Sequence, residues 1–540
     1  MSACCTTSPG DSRAKSIMGT TITRMNTSKS TPPMPLLPLA AAISSALLLT
    51  TPCAAAAEWR FTPSLGLSEI YTDNLRLTPR GSQRSEFITQ LTPGLAIAGH
   101  GPRLKLKANY EMRNFAYARL GSFNSDHQFL GDADAELVDG LFFLNGKASL
   151  SQHTITPFDA QPGSTANLSN NRTDIRTYSL SPYLRHRFGN AAAAELRYTH
   201  DSASSSTGGL LDSRNNNILL SVNSGPAFRT VEWGWQYSRR DTDYDNANSL
   251  RMEETSANLR YLLTPRFALT AVAGYERNNY LSLGAKPQGS FWQAGLAWAP
   301  NARTDIEASA GHRFYGKTFS LMAKHRTRRT AWSIGYDDQI STTQSQFLIP
   351  VTTDTSAFLN QLWQASIPDP AMRQQAVDAF IRDTGLPSSL SASVNTLTNR
   401  VFLEKRWQAS VALNGARNTL LLSLFDINRS AQTSSANDVA LLSAGNLAQQ
   451  DNTHQSGVNA LWNWHPTSRT NLSASVGHSR ARSLATGLLT NTRTYRLGLN
   501  RQLQPGLKGT LEYRRLQQEF NQPGRDVQEN AVTASLLMTF

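Results

Sequence analysis

Two groups of residues in this 540-residue chain have types and spacing suited to chemistry. The first is a set of cations in alternating stretches: Arg103, Lys105, Lys107 and Arg113, then Arg185, Arg187 and Arg197, then Arg260, Arg313, Lys508 and Arg514. Glu111, Glu195, Glu232, Glu307 and Glu512 lie among them. Residues two apart share one face of a strand, so these positions are candidates for a charged wall that binds or conducts an anionic solute. A solvated polar wall is the plainer reading. The second group is His200-Asp201 and Asp337-Asp338, which have the residue types of general acid–base catalysis. Other histidines, among them His127, His153 and His478, stand singly and read as solvated or interfacial. The sequence has no phosphate loop, metal-ligand spacing, serine elbow or dinucleotide fingerprint, so neither cofactor, metal nor nucleic acid is expected.

The elements that must carry these residues are strands. Leu104, Leu106, Ala108, Tyr110 and Met112 alternate with Arg103, Lys105, Lys107, Asn109, Glu111 and Arg113, which gives one apolar face and one charged face. The last stretch repeats the pattern with Val532, Ala534, Leu536, Met538 and Phe540 on its apolar face. Between them the alternation recurs, and it predicts about 22 antiparallel strands, with 20 and 24 as the bounds. Connections alternate between short turns, such as Gly99–Pro102 and Gly189-Asn190, and longer Ser, Asn, Gly and Asp-rich loops, such as His153–Asp174 and Gln517–Gln528. Short turns on one side and long loops on the other are the pattern of a transmembrane β-barrel. Trp59, Trp233, Trp235, Trp298, Trp332, Trp462 and Trp464 fall in register with the apolar faces, mostly near the short turns, as an interfacial aromatic girdle requires. An even strand count returns the closing strand, ending at Phe540, to the side where the first one starts.

Residues 1–57 read as a secretory signal peptide with an over-extended start: Arg24 and Lys29 precede an apolar run from Leu36 to Leu49, and Ala55-Ala56-Ala57 forms a small-residue cleavage site. The barrel is expected over 58–540. Cys4, Cys5 and Cys53 all lie in the removed part, so disulfides and thiolate metal sites are excluded from the mature chain. Removing four basic residues and one acid with that segment lowers the formal charge from +13 to about +10, which points to an anionic partner such as lipopolysaccharide or an acidic polymer. Beyond residue 57 no window approaches the roughly 20 apolar residues of a membrane helix, and a β-barrel needs none.

One connection departs from the pattern. Residues 339–400 carry helix signals: Phe358, Leu362 and Trp363 in one segment, and Met372 and Phe380 in a second, with Asp369 as N-cap, Pro370 at the first helical position and Gly385 at the end. Two amphipathic helices must bury their apolar faces, so this external insertion is expected to dock in the lumen as a plug or against the rim.

The motifs Trp59…Pro63-Ser64…Leu67-Ser68-Glu69…Tyr71-Thr72-Asp73-Asn74…Leu77-Thr78-Pro79, then Pro93-Gly94, and later Leu403…Lys405…Leu413…Gly415-Ala416-Arg417-Asn418-Thr419, resemble the outer-membrane barrel family associated with the PEP-CTERM and exosortase system. That resemblance implies an outer-membrane location and a role in exopolysaccharide production, export or sorting. It implies the membrane lipid, lipopolysaccharide, the barrel-insertion machinery and exopolysaccharide export components as partners. Phe540 resembles the terminal aromatic that insertion machinery reads. The reading is therefore a non-enzymatic pore or conduit, with a non-conducting barrel that organises surface polymer as the alternative. A third reading rests on omptin-type barrel proteases, which set an Asp-His pair opposite an Asp pair on the external rim, as His200-Asp201 and Asp337-Asp338 would have to be.

Overall fold

In the computed structural model the described residues are 58–206, 212–245, 249–280, 282–283, 286–342, 359–360, 373, 377, 400–433 and 451–540. The signal-peptide segment, 1–57, lies outside them.

The chain forms 22 strands. The first eleven are β1 (Glu58–Thr72), β2 (Glu86–His100), β3 (Leu104–Tyr117), β4 (Ser122–Val138), β5 (Phe142–Thr154), β6 (Arg172–Phe188), β7 (Ala192–Ser205), β8 (Ser213–Ser224), β9 (Val231–Tyr244), β10 (Leu250–Thr264) and β11 (Phe267–Asn278). The rest are β12 (Gln288–Asn301), β13 (Thr304–Arg313), β14 (Gly316–Arg326), β15 (Thr330–Thr342), β16 (Val401–Asn414), β17 (Asn418–Ala431), β18 (Asn452–Thr467), β19 (Thr470–Ser483), β20 (Leu489–Gln504), β21 (Leu507–Phe520) and β22 (Val527–Thr539). Each pairs antiparallel with its neighbour in sequence, and β1 also pairs with β22 from Ser64↔Thr539 to Thr72↔Ala531. The sheet closes on itself as a 22-stranded barrel, the expected fold.

Register explains why the apolar residues lie where they do. Directly opposed residues share a face, so Leu67 of β1 faces the same way as Leu91 of β2 and Leu536 of β22. Followed around the barrel, one face carries Phe61, Leu65, Leu95, Tyr110, Leu184, Leu196, Trp298, Leu422, Leu497 and Leu511, all exposed. The other face of β1 carries Thr62, Ser64, Ser68 and Thr72, which are partly or fully buried. A water-soluble protein has the reverse arrangement. An apolar exterior around a polar interior suits a barrel in lipid, where every backbone group must pair within the sheet.

The short turns are as tight as the sequence requires; Gly189, with φ of 55°, takes a left-handed conformation between β6 and β7 that a side chain would strain. Several long loops are shorter than the alternation predicts. The connection expected at Gln517–Gln528 shrinks to 521–526, and β7 continues to Ser205. Strand continuing above the membrane meets water on its outer face, so both of its faces are polar and the alternating signal disappears.

The last ladder is also held by Phe540, whose N–H donates to the Pro63 carbonyl at 3.0 Å, while its ring is 66 % exposed on the apolar side. Replacing Phe540 with Asp is expected to cut the amount of inserted, heat-modifiable protein on the order of tenfold, because a charge at the closing seam must be carried into lipid before the ladder closes. Phe123→Asp, at an exposed ring on the opposite rim, should insert normally; equal loss in the two variants would remove Phe540 from any role in closure.

Candidate functional site

The cations singled out in the sequence mostly face the interior. Lys105, Lys107, Arg113, Arg185, Arg187, Arg197, Arg260, Arg313, Lys508 and Arg514 all occupy the register positions opposite to the apolar exterior. Arg103 differs: it lies in the turn between β2 and β3, one residue short of the strand.

Their partners change the electrostatic reading. Lys105 stands opposite Asp134 and Lys107 opposite Asp132 on β4. Arg113 meets Glu111 at 3.1 Å and Asp126 at 3.9 Å. Glu195 takes Arg185 at 2.8 Å and Arg197 at 3.0 Å, and the two guanidinium groups flank the Tyr183 ring. Arg260 lies near Glu232 and Glu307, Arg313 binds Glu254 at 2.7 Å and Glu276 at 3.3 Å, and Arg514 binds Glu529 at 3.2 Å. The interior wall along these strands is zwitterionic. Most of these cations thus stand beside a carboxylate rather than alone.

The feature that shapes the lumen is the loop between β5 and β6, residues 155–171. Its neck is closed by Asn171, whose Oδ1 accepts from Thr156 N–H at 2.9 Å and whose Nδ2 donates to the Thr156 carbonyl at 2.8 Å. From there it folds inward across the barrel wall. Asn167 donates through Nδ2 to Glu529 Oε1 at 2.6 Å, and Glu529 also accepts from Thr72 Oγ1 at 2.8 Å. Arg496 Nη2 donates to the Gly163 carbonyl at 3.0 Å, Gln161 N–H donates to Gln518 Oε1 at 3.0 Å, and Tyr117 OH donates to the Ala166 carbonyl at 3.1 Å. Gly163 permits this approach, since a Cβ there would lie 3.0 Å from Arg514 Nε. Ala166 completes an apolar cluster with the inward side chains Ile70, Ile88, Phe115 and Tyr117 and with Leu75. Its anchors are interior residues of β1–β3 and β20–β22, with Leu75 and Arg525 from the adjoining external loops, so the loop narrows the external half of the barrel.

A second buried cluster lies on β16 and β17, three to four strands from β20. Glu404, on β16, accepts from Arg429 Nε at 2.8 Å and pairs with Arg406 Nη2, all three being at most 3 % exposed. Nearby, Asp338 accepts from Thr318 Oγ1, from Phe319 N–H at 3.2 Å and from Tyr315 OH at 3.4 Å, tying down the external turn between β13 and β14. Burial pushes the Tyr315 phenol up to about 12, which keeps it a neutral donor.

The acid–base residues are not brought together. His200 and Asp201 are neighbours in β7 and point to opposite faces; His200 Nδ1 meets Asn216 Oδ1 at 2.8 Å on the outer face, and Asp201 Oδ2 accepts from Asn215 at 2.9 Å inside. Asp337 and Asp338 lie on β15, eight strands further round, with Asp338 spent on the turn. The plug residues Phe358, Leu362, Trp363, Met372 and Phe380 lie outside the described residues; within that insertion Leu359, Asn360, Arg373 and Val377 are helical, and Leu359 and Val377 are buried. Among the described residues no group of three metal-ligating side chains converges. Trp59, Trp233, Trp235, Trp298, Trp332, Trp462 and Trp464 all stand in the register of the apolar exterior.

That exterior, with its indole rings and closed ladder, decides the location. The chain is an outer-membrane β-barrel protein. No known family model and no curated protein matches it. Among solved structures it is similar to the siderophore receptor PirA of Pseudomonas aeruginosa, at 7 % identity over 89 % of this chain and 80 % of that one with a TM-score of 0.44. It is also similar to the FrpB iron transporter of Neisseria meningitidis, at 10 % identity, 89 % and 81 % coverage and a TM-score of 0.48. The third is OccK2 of Pseudomonas aeruginosa, at 8 % identity, 89 % and 98 % coverage and a TM-score of 0.33. The siderophore and the iron are what the first two of those proteins are named for.

Proposed function

We propose that this barrel is a constricted pore for a polar carbohydrate polymer, neutral or acidic, in the exopolysaccharide setting implied by its resemblance to the exosortase-associated barrels. The observation that carries this reading is the interior of β18 and β19. Its half-buried inward positions include Asn459, Ser473 and Ser475, hydroxyls and an amide with no charged residue among the inward positions of these two strands. Such groups exchange hydrogen bonds with sugar hydroxyls as readily as with water. The zwitterionic wall elsewhere offers an acidic sugar cations without trapping it, since most of them stand beside a carboxylate.

The test is conductance in planar bilayers with oligosaccharides added to one side. Stepwise conductance that is interrupted by both a neutral glucan oligomer and an oligogalacturonate is the expected result. Polymer binding with no conductance, in both the full chain and a variant lacking the inward loop, would instead make this a barrel that organises surface polymer.

A further inference from the structure

Positive charge is concentrated at one rim. Of the ten short turns, six place an arginine at the last position before the next strand: Arg103, Arg266, Arg303, Arg329, Arg417 and Arg469. In the same ten turns Asp139 is the one acidic residue. Four of these arginines are fixed in the same way, with a side-chain oxygen two residues earlier accepting from the arginine backbone N–H: Thr264, Asn301, Thr327 and Thr467, at 2.8–3.3 Å. The recurring turn holds the backbone and leaves the guanidinium free. All six are exposed, and none takes part in an ion pair among the described residues.

The tryptophans give this ring its depth. Trp332 Nε1 donates to Thr330 Oγ1 at 3.0 Å, and Trp462 Nε1 donates to Asn418 Oδ1 at 3.1 Å. Thr330 and Asn418 are the residues directly after Arg329 and Arg417. The polar edge of each indole is thus turned toward the rim, with its apolar body toward the hydrocarbon, the posture of an interfacial ring. Three residues of strand separate Trp332 from Arg329, a rise of roughly 10 Å. Beyond the hydrocarbon a leaflet's polar layer is only about 5–8 Å deep, and a guanidinium on a flexible stem reaches back into it.

We propose that this rim is a binding surface for the phosphodiester headgroups of anionic phospholipid, with each arginine taking a headgroup from the leaflet that touches the short turns. Guanidinium pairs with phosphate oxygens in a bidentate fork, and a headgroup lacking its own amine has both oxygens unspent. The inference does not depend on what passes through the lumen.

The experiment uses the full chain in nanodiscs of phosphatidylcholine and phosphatidylglycerol, with the composition of the lipid retained on the protein read by mass spectrometry after stepwise detergent stripping. Phosphatidylglycerol should be enriched about two- to fivefold over its bulk fraction, and the enrichment should weaken at high salt. The sixfold variant Arg103→Gln, Arg266→Gln, Arg303→Gln, Arg329→Gln, Arg417→Gln and Arg469→Gln should lose it while keeping its heat-modifiable mobility. The corresponding sixfold Lys variant should keep most of it, which separates a charge effect from damage to the turns. Equal enrichment in wild type and the Gln variant would overturn the proposal. So would an unenriched wild type that captures polyglutamate in pure phosphatidylcholine discs, which would assign the ring to an acidic polymer.

Discussion

Conductance rises about twofold or more when residues 157–170 are replaced by a Gly-Asn link, because a 22-stranded barrel is wide enough to need an obstruction if it is to be narrow. The variant removes Gln161, Gly163, Ala166 and Asn167, the contacts through which the loop lies on β1–β3 and β20–β22. It leaves Thr156 and Asn171 to close the neck. No strand ladder passes through the loop, so the barrel should insert normally and retain its anomalous gel mobility. Glu529 and Arg496 become solvated, and the open pore should respond to their charge: Glu529→Gln in the loop-deleted background should shift its selectivity toward anions. An unchanged conductance after deletion would show that the loop does not limit the passage.

The stability counterpart is Glu404→Gln. Two arginines at most 3 % exposed converge on one carboxylate, and a neutral amide leaves them facing each other across β16 and β17 without it. Removing one member of a buried ion cluster costs about 3–5 kcal/mol. The temperature at which the compact gel band converts to the unfolded one should fall accordingly. Replacing all three members together, Glu404→Leu with Arg406→Met and Arg429→Leu, should recover most of the loss. A single variant with wild-type behaviour would show that water reaches the cluster.

What the sequence made legible is what repeats. Alternation at Leu104–Met112 and at Val532–Phe540 is a local signal that survives because lipid on one side and water on the other sort every second residue. Strand number, closure and the outward tryptophans follow from it. The charge balance of the interior was not legible, since Lys107 finds Asp132 only through the register of β3 on β4, and Arg429 finds Glu404 across the seam between β16 and β17, the next one after the helical insertion. Nor was the inward loop. Residues 155–171 are rich in Ser, Thr and Asn without period, as any solvated loop is, and the anchor Asn167 meets Glu529 across 362 positions of sequence. The turn arginines were in plain view one by one; what makes them a set is that the fold stacks ten turns into one circle.

The closing ladder has a consequence in time. Every other seam joins strands adjacent in sequence, so each can zip as soon as its hairpin exists. The seam between β1 and β22 joins residues such as Thr72 and Glu529, 457 positions apart. Bringing ends that distant together costs roughly 5 kcal/mol of chain entropy if attempted from a free coil, but almost none once the intervening hairpins have curled the growing sheet into an arc. Assembly of this molecule is thus serial with one late, all-or-none step. A chain arrested before that step would keep both edge strands exposed, and its lifetime in that state, more than the strength of any single contact, sets how often it is lost to aggregation.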